Sequence, residues 1–218
     1  VDADRITLRD GGLISTAAFL SGAAGDVSVR ARQIDIAGQG EISDFVVTPR
    51  SGIVAATGEL SSGAGGSVEV ETASLHVHGD GLVGANTAGS GDAGSVSVAA
   101  GRVDLRTRGE IGSRSTGTGN AGSVDVDSSG DITLQSGGRI TVAAPAANAG
   151  SINVRTGGDL RMDRGSISAV AGIDGGDIGI SANQFISLNN GSEIVAEAGN
   201  DGGNVTLSDA KFAILDDS

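Results

Sequence analysis

The sequence predicts an all-β fold, a right-handed parallel β-helix with three strands in each turn. Three observations predict it: one phrase recurs at a nearly constant interval, short apolar segments with strand spacing fill each interval, and aromatic residues are almost absent. The interval gives about seven turns of roughly 27 residues each. We predict a single β-helix repeat domain over residues 1–218, forming a segment of a longer chain.

The repeated phrase is a Gly, a small polar residue and two apolar residues that are separated by one further residue. It reads GDVSV at 25–29, GSVSV at 94–98, GSVDV at 122–126 and GSINV at 150–154. Its Gly is residue 25, 66, 94, 122, 150, 176 and 203 in successive copies, so the steps are 41, 28, 28, 28, 26 and 27 residues. A period of this length is typical of solenoids, propellers and arrays.

Three short apolar segments follow one another in each copy, and they predict three strands. In one copy they are Val124 with Val126, Ile132 with Leu134, and Ile140. Spacing of two is the strand period, whereas no stretch shows the three-and-four spacing of an amphipathic helix. Stacked turns would align the first segments in an inward core column that contains Val68, Val96, Val124, Ile152, Ile178 and Val205. A propeller blade would need four antiparallel strands, which the pattern does not offer. A turn of about 27 residues favours the right-handed coil over the left-handed coil of hexapeptide repeats.

Composition limits the kinds of core and partner. The chain has 38 Gly, four Phe and no Trp, Tyr or Cys, so its core must consist of aliphatic side chains and has no disulfides. The formal net charge of −13 disfavours nucleic acid and anionic membranes, which require a basic surface. No apolar run reaches transmembrane length, so we expect no membrane insertion.

The 41-residue step indicates an insertion near residues 39–51. The copies align again when GIVAATG at 52–58 is matched with GLVGANT at 81–87. Phe45, Val46 and Val47 in the insertion are expected to form an extra strand or a flap on the side of the coil.

Two residues before each repeated Gly, an Asp or Asn recurs from the third copy onward. This predicted turn ladder comprises Asp92, Asn120, Asn148, Asp174 and Asp201. Asn and Asp tolerate left-handed backbone and bond to their own turn, while Gly supplies positive φ, so the phrase is interpreted as a corner. The sequence predicts no cofactor. A calcium site along the ladder is the alternative, because hard cations bind several converging carboxylate or carbonyl oxygens.

His76 and His78 are the candidate metal ligands. They occupy one outward face because Leu75 and Val77 point inward, and Asp35 and Asp104 are expected on adjacent turns. Structural zinc sites need three or four ligands, so a solvated His pair is the competing interpretation.

We predict no catalytic residues. Outward acids such as Asp104, Asp125, Asp131 and Asp163 are expected to form surface cross-strand pairs with basic residues. The four Phe offer no evident platform for stacking a sugar. A polysaccharide lyase or hydrolase, with clustered carboxylates in a groove, is the alternative.

The pattern G-[SDN]-[VI]-x-[VI], then [LVI]-x-[LV], then G-x-I resembles the repeat region of filamentous-haemagglutinin-like exoproteins of two-partner secretion systems. The resemblance covers essentially the whole chain, and LRDGGLISTAAFLSGAAGDVSV (8–29) and LNNGSEIVAEAGNDGGNVTL (188–207) carry it best. It implies a right-handed β-helix in a large protein that is secreted or held on a bacterial cell surface. The family's secretion domain carries Asn-Pro motifs such as NPNG, and their lack here implies a shaft segment.

Function is therefore predicted to be that of a non-catalytic spacer in an adhesin-like exoprotein. Its partners would be a host or neighbouring cell surface, or glycans. Two alternatives stay open: a fibre subunit that self-associates end to end, and a carbohydrate-binding or carbohydrate-cleaving β-helix.

Overall fold

The computed structural model describes residues 1–38 and 50–216. The predicted insertion near 39–51, including Phe45, Val46 and Val47, therefore lies outside the described residues except for Arg50 and Ser51. The described part of the chain forms twenty β-strands and no helix. These strands belong to two sheets.

The larger sheet has thirteen of these strands. They are β1 (Asp2–Leu8), β3 (Val27–Ala37), β5 (Val68–His78), β7 (Val96–Ala100), β8 (Val103–Arg106), β10 (Val124–Ser128), β11 (Ile132–Gln135), β13 (Ile152–Thr156), β14 (Leu160–Asp163), β16 (Ile178–Ala182), β17 (Phe185–Asn189), β19 (Val205–Ser208) and β20 (Phe212–Asp216).

The smaller sheet has seven strands. They are β2 (Leu13–Ala18), β4 (Gly52–Thr57), β6 (Leu82–Thr87), β9 (Glu110–Ser115), β12 (Arg139–Ala144), β15 (Ser166–Ala171) and β18 (Glu193–Ala198).

Strands of successive repeats pair with one another in parallel. In the smaller sheet the order is β2-β4-β6-β9-β12-β15-β18, which follows the chain without a reversal. In the larger sheet, β10 pairs with β7 and β13, while β11 pairs with β8 and β14. The chain is therefore a parallel β-solenoid of about seven turns, as the repeat period predicts.

The core is a set of aliphatic columns inside the coil. Val68, Val96, Val124, Ile152 and Ile178 align across successive strands, and each is at most 1% exposed. Burying each such side chain contributes about 1.5–3 kcal/mol. The largest fully buried side chains are all Ile, Leu or Met, so the absence of Trp and Tyr leaves the core complete.

The prediction that Val205 belongs to the buried core column was wrong. It continues the register by pairing with Ile178, but it is 45% exposed. The reason is its position in β19, the last strand on its side of the larger sheet in the described chain, where no further strand covers its outer side.

The residues with left-handed backbone lie mainly in tight turns and not at the Gly of the repeated phrase. Among the residues that the structure describes, five turns have positive φ at both central residues and a hydrogen bond from the N–H of the fourth residue to the C=O of the first. This is the signature of type I′ turns. The central pairs are Asp10–Gly11, Gly79–Asp80, Thr107–Arg108, Ser136–Gly137 and Asn190–Gly191.

The Gly of the repeated phrase has a different physical role from the one predicted. It does not adopt positive φ. Instead, the glycines of successive copies stack on one another: a Cβ on Gly94 would lie 2.1 Å from the carbonyl oxygen of Gly66, and a Cβ on Gly122 would lie 2.2 Å from that of Gly94. Glycine recurs here because adjacent turns approach too closely for any side chain.

Candidate functional site

The predicted Asp/Asn ladder connects adjacent turns through the side chains of Asp92, Asn120 and Asn148. The side-chain Oδ1 of Asp92 accepts a hydrogen bond from the backbone N–H of Asn120 at 2.7 Å. Asn120 Oδ1 accepts from the N–H of Asn148, and Asn148 Oδ1 from that of Asp174, both at 3.1 Å. The prediction that these side chains bond to their own turn through left-handed backbone was wrong: their φ is not positive, and each bond spans two turns. This ladder satisfies backbone donors at the corner.

A second ladder, not predicted from the sequence, lies one residue after each repeated Gly. The N–H of Ser67 donates to Asp26 Oδ1 at 2.7 Å, and the N–H of Ser123 donates to Ser95 Oγ at 3.2 Å. The same bond from the N–H of Asn204 to Asp177 lowers the pKa of the Asp177 carboxyl. The sequence signal was the small polar residue that follows Gly in every copy of the phrase.

His76 and His78 lie in a shallow depression of about 260 Å³ with Asp35 and Asp104. The Nε2 of His78 is 3.1 Å from Asp35 Oδ1, and the Nδ1 of His76 is 3.4 Å from Asp104 Oδ2. The predicted neighbourhood of the two His is therefore present.

Both carboxylates in this depression also contact arginines. Arg9 lies 3.0 Å from Asp35, and Arg106 lies 2.7 Å from Asp104. Burial opposes ionisation of Asp35, but bonds to Arg9 and His78 outweigh it and lower the pKa of that carboxyl. In residues 1–38 and 50–216 no group of three or more His, Asp or Glu is arranged to hold a metal ion.

The acids considered for catalysis each contact a neighbouring polar or basic side chain. Asp125 accepts from Asn153 at 2.9 Å, and Asp163 accepts from Asn190 at 3.0 Å. Asp131 is 2.7 Å from Arg161, and together with the N–H of Asp159 this arginine lowers the pKa of the Asp131 carboxyl. These contacts join adjacent turns, as expected for surface cross-strand pairs.

Glu110 is the centre of a buried charge cluster that sequence reasoning missed. Its side chain is 4% exposed and lies 2.7 Å from Arg50, 2.6 Å from Arg139 and 3.5 Å from Arg114. Burial alone would raise the pKa of Glu110, but hydrogen bonds from Arg139 and Arg50 reverse the effect and hold it below its ordinary value. The only sequence signal was an acid at the start of a strand that reads as a core segment.

Arg50, two residues before β4, also binds the backbone of the next turn. Its Nε donates to the carbonyl of Asp80 at 2.5 Å and its Nη2 to that of Gly81 at 3.2 Å. Beside it, Arg108 donates twice to the Asp80 carboxylate at 2.6 Å, and this hydrogen bonding lowers the pKa of Asp80. The cluster thus links four successive turns, and within the described residues the buried Nε of Arg139 has no hydrogen-bond partner.

A groove of about 490 Å³ lies along the outside of the bend that joins β10 to β11, β13 to β14 and β16 to β17. The polar residues that line it include Asp127, Arg155, Ser181, Asn183 and Asp209. Two residues after Asn183, Phe185 stacks on Phe212 of the next turn, with ring centroids 5.6 Å apart and an interplanar angle of 16°. The register brings together two Phe that are 27 positions apart, which composition alone did not reveal.

These features define the class as a parallel β-solenoid whose surface carries charge pairs and, near an aromatic pair, a groove. In the described part of the chain no helix is long and apolar enough to cross a membrane. The chain matches no protein-family model, no curated protein and no solved structure.

Proposed function

We propose that the chain is a rigid, non-catalytic spacer within a secreted or cell-surface bacterial exoprotein of the adhesin type. The observation that carries the proposal is the unbroken stacking of the repeat: columns, ladders and glycines continue in register from one turn to the next. A stack of this kind gives a rod of fixed length, and seven rungs at about 4.8 Å amount to about 35 Å. The resemblance of the repeat pattern to filamentous-haemagglutinin-like exoproteins supports the extracellular setting.

In this proposal the coil is right-handed and each turn has three strands. A connection between parallel strands of one sheet is right-handed in nearly all proteins. A length near 28 residues per turn accommodates the three apolar segments of each copy and their short turns.

Small-angle scattering behind size exclusion tests the spacer role, in buffers with and without calcium. We expect a monomeric rod with one cross-section and the same length in both buffers. Particles that bend within the length of the chain would contradict stiffness, and particles that lengthen at constant cross-section would favour a fibre subunit instead.

Antibody labelling of the producing cells tests the location. We expect an antibody against the folded chain to label intact cells as strongly as permeabilised cells. Labelling confined to permeabilised cells, with no protein in the medium, would overturn the extracellular part of the proposal.

A further inference from the structure

The groove along the bend offers hydrogen-bonding groups at a regular spacing. Its polar side chains come from successive turns, so they recur at about 4.8 Å along the axis of the coil. Arg155 lies 3.4 Å from Asp127, and Ser181 donates to Asp209 at 2.8 Å. Hydroxyl, amide, carboxylate and guanidinium groups therefore face the same elongated depression.

An exposed aromatic pair lies beside the end of this groove. Phe185 is 39% exposed and Phe212 is 63% exposed, and each begins its strand on the outward face. On the preceding turn the equivalent position is Asp159, which donates its N–H to Asp131 and accepts the N–H of Phe185. The outward face thus changes from carboxylate to aromatic where the groove ends.

We propose that this groove and the Phe185–Phe212 pair form a binding site for an uncharged oligosaccharide that lies along the axis of the coil. Aromatic faces accept the apolar C–H face of a sugar ring, while the groove offers partners to its hydroxyls. The groove holds two carboxylates and one guanidinium, and the chain has a net charge of −13, so a sulfated or carboxylated polymer is disfavoured. Because the polar side chains of the groove come from successive turns, they can contact successive sugar units of one oligosaccharide. This site goes beyond the spacer role and does not depend on it.

A panel of uncharged oligosaccharides, including cello-, malto- and chitohexaose, is immobilised and probed with the whole 218-residue chain. Titration calorimetry follows for each ligand that is retained, with heparin as an anionic comparison. We expect saturable binding to at least one uncharged oligosaccharide. No binding to any of them, or binding to heparin alone, would overturn the proposal.

Two sets of variants locate the site. Phe185→Ala with Phe212→Ala should raise Kd about tenfold or more by removing the stacking surface. Arg155→Ala and Asn183→Ala, which change exposed groove side chains without touching the Phe pair, should also raise Kd. Phe19→Ala is the matched control, because Phe19 is 72% exposed and lies outside the groove.

Circular dichroism confirms that each variant is folded before its Kd is compared. If the Phe double variant unfolds, the groove variants still decide the question. Unchanged Kd in the folded groove variants would overturn the site. A concentration-dependent dimer that disappears in Phe212→Ala would also overturn it, since the aromatic pair would then be an interface between copies.

Discussion

At the residue scale, glycine in the repeated phrase matters because it allows the backbones of adjacent turns to lie close together. The backbones of successive copies are in close contact: the carbonyl of Gly94 lies against Gly122, and the carbonyl of Gly122 lies against Gly150. A side chain at these positions would separate two turns that are otherwise held by backbone hydrogen bonds. Close approach, not turn conformation, thus explains why Gly recurs from the second copy onward, beginning with Gly66.

Gly122→Ala should destabilise the coil by about 1–3 kcal/mol, because the added Cβ would lie 2.2 Å from the carbonyl oxygen of Gly94. Urea unfolding measures the free energy. Gly22→Ala is the matched control, since a Cβ there meets nothing within 4 Å. Equal stability of the two variants would contradict the stacking explanation.

Glu110→Gln should lower the free energy of unfolding by about 3–5 kcal/mol at pH 7, because it leaves the charges of Arg50 and Arg139 without their buried partner. Asp127→Asn is the control: its pair with Arg155 is more than half exposed on both sides and should contribute less than about 1 kcal/mol.

The same cluster predicts a pH dependence. The pKa of Glu110 in the folded chain lies below its ordinary value of 4.5, so its contribution is full above that value and is lost as the pH falls through the lower folded pKa. Urea unfolding between pH 7 and pH 3 should therefore show a smaller loss of stability in Glu110→Gln than in the parent chain. Parallel curves for the two proteins would show that Glu110 does not take part in acid unfolding.

At the element scale, each strand depends on its register with the strands of the turns beside it. Val124 pairs with Val96 on one side and Ile152 on the other, and it has no exposed surface. The ladder residues lie four residues before these strands begin, where their side chains accept hydrogen bonds from backbone N–H groups of the next turn. Side-chain columns and corner ladders together fix which residues of adjacent turns align.

Val124→Asp should lower the free energy of unfolding by about 4 kcal/mol or more, because it buries a charge without a partner. Val205→Asp changes the same core column at a position that is 45% exposed, and should cost no more than about 1 kcal/mol. Thermal unfolding compares the two. An unchanged melting temperature in Val124→Asp would overturn the inward assignment of the column.

At the scale of the whole molecule, adjacent turns form a series of similar contacts. Pairing joins each strand only to its counterparts in neighbouring turns, so stability should be approximately a sum of turn and interface contributions. This property suits a spacer, because the number of turns sets the length without altering the remaining turns.

Deletion of residues 151–176 removes β13, β14 and β15 and joins Gly150 to Asp177 in register. We expect a folded rod that is shorter by about 4.8 Å. Deletion of 151–163 removes β13 and β14 but leaves β15, so β10 and β11 each lose the partner on one side and the chain should lose much of its stability. Circular dichroism and small-angle scattering compare the two, and equal behaviour would contradict the turn as the structural unit.

Sequence periodicity determined most of the architecture because the same physical problem recurs in each turn. Spacing of two at Val124 and Val126, repeated after 28 residues at Ile152 and Val154, was sufficient to predict strands, their inward faces and their parallel stacking. It also indicated that Asn120 and Asn148 form a ladder. These features depend on local pattern and on identical neighbours, which a single sequence displays directly.

Only the tertiary structure decided the features that depend on how far apart adjacent turns lie and on which unlike residues meet. The structure showed that Gly122 is required because adjacent turns approach closely there. Positive φ occurs instead in turns such as Thr107–Arg108. Register brought Arg50 to Glu110 across 60 positions and Phe185 to Phe212 across 27, and neither pair repeats along the chain. A period reveals what every turn shares, whereas a candidate site arises where one turn differs from the next.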